Sequence, residues 1–279
     1  MARHDEGFFS AKDNLRLFWE SDLPEAEPKA HVLIAHGYQD HCGRYGNAVG
    51  ALVQAGFASH AFDFRGHGQS DGRRGHCDSF SQYVDDLDLF VDRVRGQAKG
   101  KKLFLLGHSM GALVAIHWLR RNGAGGLSGV VLSAPYLKLA FTPSPFKVLT
   151  AKLVGKVVPW LPVKSDLSVE ALSRDVELQR ATARDPLYNR TVTPRWFNES
   201  NRAQQEALAL GPSVELPAYV FAGAEDRVAA PEVARQFFES LASRDKKFKE
   251  YPGMRHECMN ELGKEEVLSD LLNWISSHL

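Results

Sequence analysis

Leu103-Phe104-Leu105-Leu106-Gly107-His108-Ser109-Met110-Gly111 is the stretch that decides how this chain folds. An apolar run of strand length enters Gly-x-Ser-x-Gly, and Ala112-Leu113-Val114-Ala115-Ile116-His117-Trp118-Leu119 continues it with a helical composition. The turn from strand to helix must be so tight that side chains two positions either side of Ser109 would collide, which accounts for glycine at both places. Such an elbow lifts the Ser109 hydroxyl clear of the backbone. It also sets the hydroxyl at a helix N-terminus, whose free N–H groups favour developing negative charge. A serine that merely caps a helix needs neither flanking glycine.

A hydroxyl attacks poorly until a base takes its proton, and the base needs an acceptor to fix its tautomer. Where the nucleophile sits on such an elbow, the order along the chain is serine, acid, histidine. Ala218-Tyr219-Val220-Phe221-Ala222-Gly223-Ala224-Glu225-Asp226 offers an acid at the end of a late strand, and Lys247 to His256 offers a histidine after the next. Of eleven histidines, only His256 and the penultimate His278 follow Asp226. Glu225 competes for the acid role, and Asp226 is preferred because the shorter carboxylate in a post-strand turn is readily held by local amides. Upstream, the apolar run His31 to Ala35 delivers the chain to His36-Gly37-Tyr38-Gln39, where glycine lets the backbone pass close to a bound group. The backbone amides of Tyr38 and Met110 are therefore the candidates for an oxyanion hole, each correctly aimed donor being worth about 3 kcal/mol in a transition state.

Further from the elbow, Asn14 to Trp19, Phe57 to Phe62, Lys102 to Leu106, Gly129 to Ser133 and Ala218 to Ala222 read as strands. Glu20 to Lys29, with two prolines and four acidic residues, reads as a turn. Phe80, Tyr83, Val84, Leu87, Val91 and Val94 recur at helical spacing behind Ser79, with Gln82 completing a capping pattern. Val267, Leu268, Leu271, Leu272 and Ile275 share a face of a last helix over about Lys264 to His278. Strands alternating with one-sided helices imply an α/β architecture with a mostly parallel sheet covered on both faces. The alternation breaks from about Tyr136 to Pro217. We expect a core over 1–135 and 218–279, with a mainly helical cap over 136–217 above the carboxyl ends of the strands.

The composition of the 279 residues supports this reading. A 44% hydrophobic content can build a substantial core, and 34 basic against 34 acidic residues give no case for nucleic acid. The N-terminus lacks the apolar region of a secretory signal, and no window offers a transmembrane run, so a cytoplasmic product is expected. Cys42, Cys77 and Cys258 are spaced like no metal knuckle or redox pair. Neither a metal nor an organic cofactor is called for. His36, His67 and His108, beside glycines in turns, read as scaffold. Asp63 to Ser70 reads as a structural loop in which Asp63 and Arg65 bond to the backbone and to each other.

Taken together, these motifs resemble the monoacylglycerol lipase and lysophospholipase group of α/β hydrolases, within the serine aminopeptidase S33-like families. The likeness runs from about Ala30 to the C-terminus, through His36 to His41 with Arg44-Tyr45, Asp63 to Ser70, Leu106 to Gly111, Asp185-Pro186-Leu187-Tyr188, Gly223 to Arg227 and Gly253 to His256. It implies the α/β-hydrolase fold, a triad of Ser109, Asp226 and His256, and oxyanion amides at Tyr38 and Met110. Two departures stand out. The family's His-Gly-x-Gly-Glu-His reads His36-Gly37-Tyr38-Gln39-Asp40-His41 here, and the second glycine after the elbow is Ala112.

Between Tyr136 and Ser165 lie lysines 138, 147, 152, 156 and 164 and no acidic residue, among many apolar side chains. Two readings stand: a lid that settles reversibly on an anionic lipid surface, or an amphipathic cap packed on the body. The expected partner is a small amphiphilic acyl ester, with a monoacylglycerol first. A lysophospholipid or a short-chain carboxylic ester is the alternative, and peptidase, thioesterase and acyltransferase chemistries share the same triad. A non-catalytic binding protein of this fold would be marked by a missing triad member, and none is missing.

Overall fold

The computed structural model describes residues 3–142, 155 and 157–279. The expected lysines at 147, 152 and 156, with their apolar neighbours from Phe146 to Val154, lie outside the described residues.

Eight strands form one sheet: β1 (Arg3–Ser10), β2 (Arg16–Leu23), β3 (His31–Ala35), β4 (Ala58–Phe62), β5 (Leu103–His108), β6 (Gly129–Ser133), β9 (Ala218–Gly223) and β10 (Lys246–Tyr251). Their spatial order is β1-β2-β4-β3-β5-β6-β9-β10. From β4 to β10 every pairing is parallel, whereas β1 and β2 are antiparallel additions at one edge. Among the described residues, six helices pack on it or beside it: α1 (Gly46–Gln54), α2 (Ser81–Ala98), α3 (Met110–Asn122), α5 (Pro194–Ala207), α6 (Pro231–Ser240) and α7 (Lys264–Ser277), with α4 (Val176–Arg184) further out.

The central strands are buried on both faces, and alternate residues feed two separate cores. Leu33, Leu103, Leu105, Val130 and Val220 point to the side of α2, α3 and α6. Val32, Ile34, Phe104, Leu106, Val131, Tyr219 and Phe221 point to α1 and α7, where Leu52, Val267, Leu271 and Ile275 meet them. The last helix thus buries the face its sequence predicts.

Three local readings are revised. β1 was not expected, because its first half is the charged run Arg3-His4-Asp5-Glu6. It forms as an edge strand held by pairing to β2 and by Phe9 stacking on Phe90. β2 begins two residues later than the sequence suggests and runs through Glu20 to Leu23. There the buried Ser21 hydroxyl lies 2.7 Å from His60 Nδ1, so tertiary contact outweighs the acidic composition. The α2 helix starts at Ser81, yet Ser79 and Gln82 act together as expected. The Gln82 side-chain oxygen accepts from the amides of Asp78 (2.8 Å) and Ser79 (3.3 Å), and Ser79 Oγ accepts from Ser81.

Between β6 and β9 the chain leaves the sheet. This insertion carries α4, α5 and a two-stranded ribbon of β7 (Val163–Lys164) with β8 (Thr191–Val192). Asp175 caps α4 by accepting from the amides of Glu177 and Leu178, and Thr193 with Pro194 opens α5. The α5 helix is not wholly separate from the body, since Trp196, Ala203 and Ala207 join the same apolar cluster as α3.

Candidate active site

The elbow forms as the sequence requires. Ser109 follows β5 with φ 52° and ψ −115°, a left-handed conformation rare outside glycine, and Met110 begins α3. A Cβ at Gly111 would stand 2.0 Å from the Ala35 carbonyl oxygen, and one at Gly107 would meet the backbone of Ala112 and Gly111 at 2.7 Å. Both glycines are therefore dictated by contact as well as by turn shape.

His256 and Asp226 arrive from the loops after β10 and β9. His256 Nδ1 lies 2.7 Å from Asp226 Oδ2, and Asp226 Oδ1 accepts from the amides of Val228 (2.7 Å) and Ala229 (3.0 Å). The carboxylate is thus locked by its own turn and its second oxygen is free to orient the imidazole. Glu225 points to solvent and Asp226 is buried, which separates the two competing acids. Burial alone would lower the His256 pKa. The Asp226 charge and hydrogen bond, reinforced by Glu257 and Asp40, outweigh it and hold the imidazole above its ordinary value.

Ser109, His256, Gly37 and Tyr38 line one cavity of about 450 Å³ beneath the insertion. Tyr136, Leu139, Leu167, Leu172, Phe197 and Val228 give the cavity apolar walls. Met110 is the first residue of α3, so its N–H belongs to the set that no helical carbonyl can reach. Tyr38 is fastened through its side chain: the ring stacks on Trp196 at 3.5 Å, and the hydroxyl is 2.9 Å from the Thr191 carbonyl and 3.2 Å from that of Gly75. Gln39, where the resembled family has glycine, adopts φ 67°. Its carbonyl accepts from the Asn189 amide at 2.8 Å and its side-chain oxygen from Tyr188, so the cap grips this non-glycine residue in a glycine conformation.

The other histidines behave as scaffold. His36 Nε2 accepts from the Phe64 amide and its Nδ1 donates to the Gly37 carbonyl, so it is neutral, with burial lowering its pKa. His108 stands 4.8 Å from His256 between ring centres, and burial with the neighbouring His256 pushes it down to about 3. Asp63 accepts from the amides of Cys42 and Gln69, as a structural loop should. Arg65 does not pair with it: the guanidinium reaches across to the buried Asp86 through Nε and Nη2 and to Asp13 through Nη1. Cys42, Cys77 and Cys258 are free thiols, all buried, and burial raises each above its ordinary pKa. Among the described residues no three His, Cys, Asp or Glu side chains gather as a metal site, and no helix is long and apolar enough to cross a membrane.

Two pairings near the site were not legible beforehand. His41 Nε2 meets Asp185 Oδ2 at 2.8 Å, joining the loop after β3 to the insertion, and Arg44 meets Glu257 at 2.7 Å beside His256. The motif residues that carry the family resemblance were visible, but their partners lie 144 and 213 positions away.

Comparison with known proteins agrees with this geometry. The family model described as serine aminopeptidase, S33, matches residues 26–263. A monoacylglycerol lipase of Mycolicibacterium smegmatis is 33% identical over 98% of both chains, and the phospholipase YtpA of Bacillus subtilis is 31% identical over 89% of this chain and 94% of its own. The crystal structure of the Paleococcus ferrophilus monoacylglycerol lipase superposes with a TM-score of 0.83 at 28% identity, covering 100% of each chain. The match to the family model over residues 26–263, on a mostly parallel sheet that carries an elbow serine and a buried histidine–aspartate pair, thus places this chain in the S33 serine aminopeptidase family of α/β hydrolases, as a serine hydrolase.

Proposed function

We propose that the chain hydrolyses single-chain acyl esters, monoacylglycerols first among them, with Ser109 as nucleophile, His256 as base, Asp226 as its orienting acid, and the Tyr38 and Met110 amides as the oxyanion hole. The observation that carries this is the cavity: Ser109 and His256 stand on its floor, and its walls are apolar. At about 450 Å³ it lies toward the small end of ligand pockets, roughly 300–1,000 Å³, which suits one acyl chain better than two or three. The similarity to a monoacylglycerol lipase over nearly the whole chain supports the same substrate class.

In this reading His256 takes the Ser109 proton as the oxygen attacks the ester carbonyl. Asp226 steadies the imidazolium and the two amides receive the oxyanion. The alcohol leaves with the proton from His256. Water then enters by the same route, protonates His256 as it attacks the acyl-enzyme, and the fatty acid departs as Ser109 regains its proton. Residues 136–217 act as the cap. Phe141, Leu161 and Val163 line the cavity and still expose 43–45% of their surface, with Lys164 in the same lining and the exposed Trp160 next to Leu161 in sequence. Such a rim suits reversible contact with an anionic lipid surface by an otherwise cytoplasmic enzyme.

A panel of glyceryl monoesters from acetate to oleate, run beside lysophosphatidylcholine, tests the proposal. Activity rising with chain length on the glyceryl series and weaker on the lysophospholipid is expected. A maximum at acetate with none at decanoate contradicts the lipid reading. A preference for the lysophospholipid gives the alternative, for which the similarity to phospholipase YtpA is the supporting observation.

A further inference from the structure

A second set of charges is buried beside the reacting groups, with Asp40 and Glu257 lining the same cavity, and none of them exchanges a bond or a proton with the ester. Arg44, Asp40 and Glu257 have side chains only 6–8% exposed. Arg44 Nη2 donates to both Glu257 oxygens, at 2.7 and 2.9 Å. Its Nε stands 2.7 Å from Asp40 Oδ1, an ion pair without hydrogen-bond alignment, and its Nη1 donates to Thr182 Oγ1 of α4 at 2.5 Å. Glu257 is the residue after His256, and Asp40 follows Tyr38 by two. One guanidinium therefore touches the loop that carries the base, the loop that carries an oxyanion amide, and the insertion.

The carboxylates are fixed in turn. Asp40 accepts from the His41 amide and from the Tyr45 hydroxyl, each at 2.9 Å, and that hydroxyl accepts from the Gly37 amide at 3.1 Å. The Glu257 amide donates to the Leu172 carbonyl, and Asn260 Nδ2 bridges Glu257 to the Arg44 carbonyl at 3.2 Å on each side. Three buried charges are a costly way to hold a fold together, since desolvation offsets most of their attraction. They are well suited to fixing geometry to tenths of an ångström, which is what an acyl-transfer site needs.

We propose that Arg44 is a positioning residue, which holds the His256 loop and the Tyr38 loop in register through Glu257 and Asp40, the surplus carboxylate charge supporting the proton that His256 carries in mid-reaction. His256 is faced by Asp226 through Nδ1, by Glu257 and Asp40, by the neutral His108 of β5, and by Arg44 behind the two carboxylates. Both carboxylates act on the imidazole in the raising direction. Removing the charge of Glu257 lowers the His256 pKa, leaves the base unprotonated to lower pH, and so moves the acid limb of kcat/KM downward.

The inference rests on the proposed triad, and one set of experiments separates the two. kcat, KM and the pH profile on a short nitrophenyl ester are measured for wild type, Glu257→Gln and Arg44→Lys, each normalised to Ser109 labelled by a fluorophosphonate. Glu257→Gln is expected to move the acid limb down by about half a unit or more. Arg44→Lys keeps the charge but loses the fork, and is expected to lower kcat about tenfold or more, with KM within threefold and the limb in place. An unmoved limb in Glu257→Gln, or a kcat within twofold of wild type in Arg44→Lys, overturns the inference, as does a fall in Tm with both quantities intact. Should Arg44→Lys fail to fold, the limb of Glu257→Gln decides alone. A wild-type protein not labelled on Ser109 defeats the triad instead.

Discussion

The floor and the roof of the cavity are built by opposite means. On the floor and among the residues that support it, each group is held by named polar contacts: Asp226 by two amides and His256, His36 by the Phe64 amide and the Gly37 carbonyl, and Asp40 by His41 and Tyr45. The roof is a surface of apolar side chains, with Phe141, Leu161 and Val163 reaching both cavity and solvent. Hydrogen bonds fix direction and so fix a reaction. Apolar contact is non-directional and fixes only size and shape, so it selects substrates by how much surface they bury.

Ser109→Ala strikes the floor hardest. Ester hydrolysis should fall by at least about 10⁴-fold while Tm stays within a few degrees, measured on purified protein by steady-state kinetics and calorimetry. Asp226→Asn should follow at roughly 10³–10⁴-fold in kcat, since an amide favours the wrong imidazole tautomer. Gly111→Ala attacks the same floor through stability. The new Cβ would press on the Ala35 carbonyl, and a loss of about 4 kcal/mol or more is expected in denaturant melts.

Roof changes should be smaller and dependent on substrate. Leu161→Ser removes apolar surface that a long chain would cover, so kcat/KM should drop about tenfold for a long-chain ester and stay within twofold for an acetate ester. An equal loss on both would mean that the roof also positions the chemistry. Glu225→Gln is the mildest change. The side chain is exposed beside the orienting acid, and activity should remain within about twofold.

The same contrast explains what the sequence revealed. The elbow was legible because its glycines, strand and helix are contiguous, and a mostly parallel sheet followed from the alternation of strands and helices along the chain. Asp226 stands apart from Glu225 in the sequence as the shorter carboxylate in a post-strand turn, and in the structure its Oδ1 accepts from the Val228 and Ala229 amides. The Arg65–Asp86, His41–Asp185 and Arg44–Glu257 pairs were hidden, since long-range partners leave no local pattern. β1 was missed because an edge strand half made of charged residues has no apolar alternation to read. The left-handed Gln39 was visible only as a departure. What holds it, the Asn189 amide and the Tyr188 hydroxyl, comes from the insertion.

Mass-spectrometric mapping of a fluorophosphonate adduct tests the central claim most directly. One adduct per chain is expected, on Ser109, forming quickly in wild type, absent in Ser109→Ala and slow in Asp226→Asn. Folded wild-type protein that carries no adduct, or carries it on another residue, would contradict the assignment of Ser109 as the nucleophile.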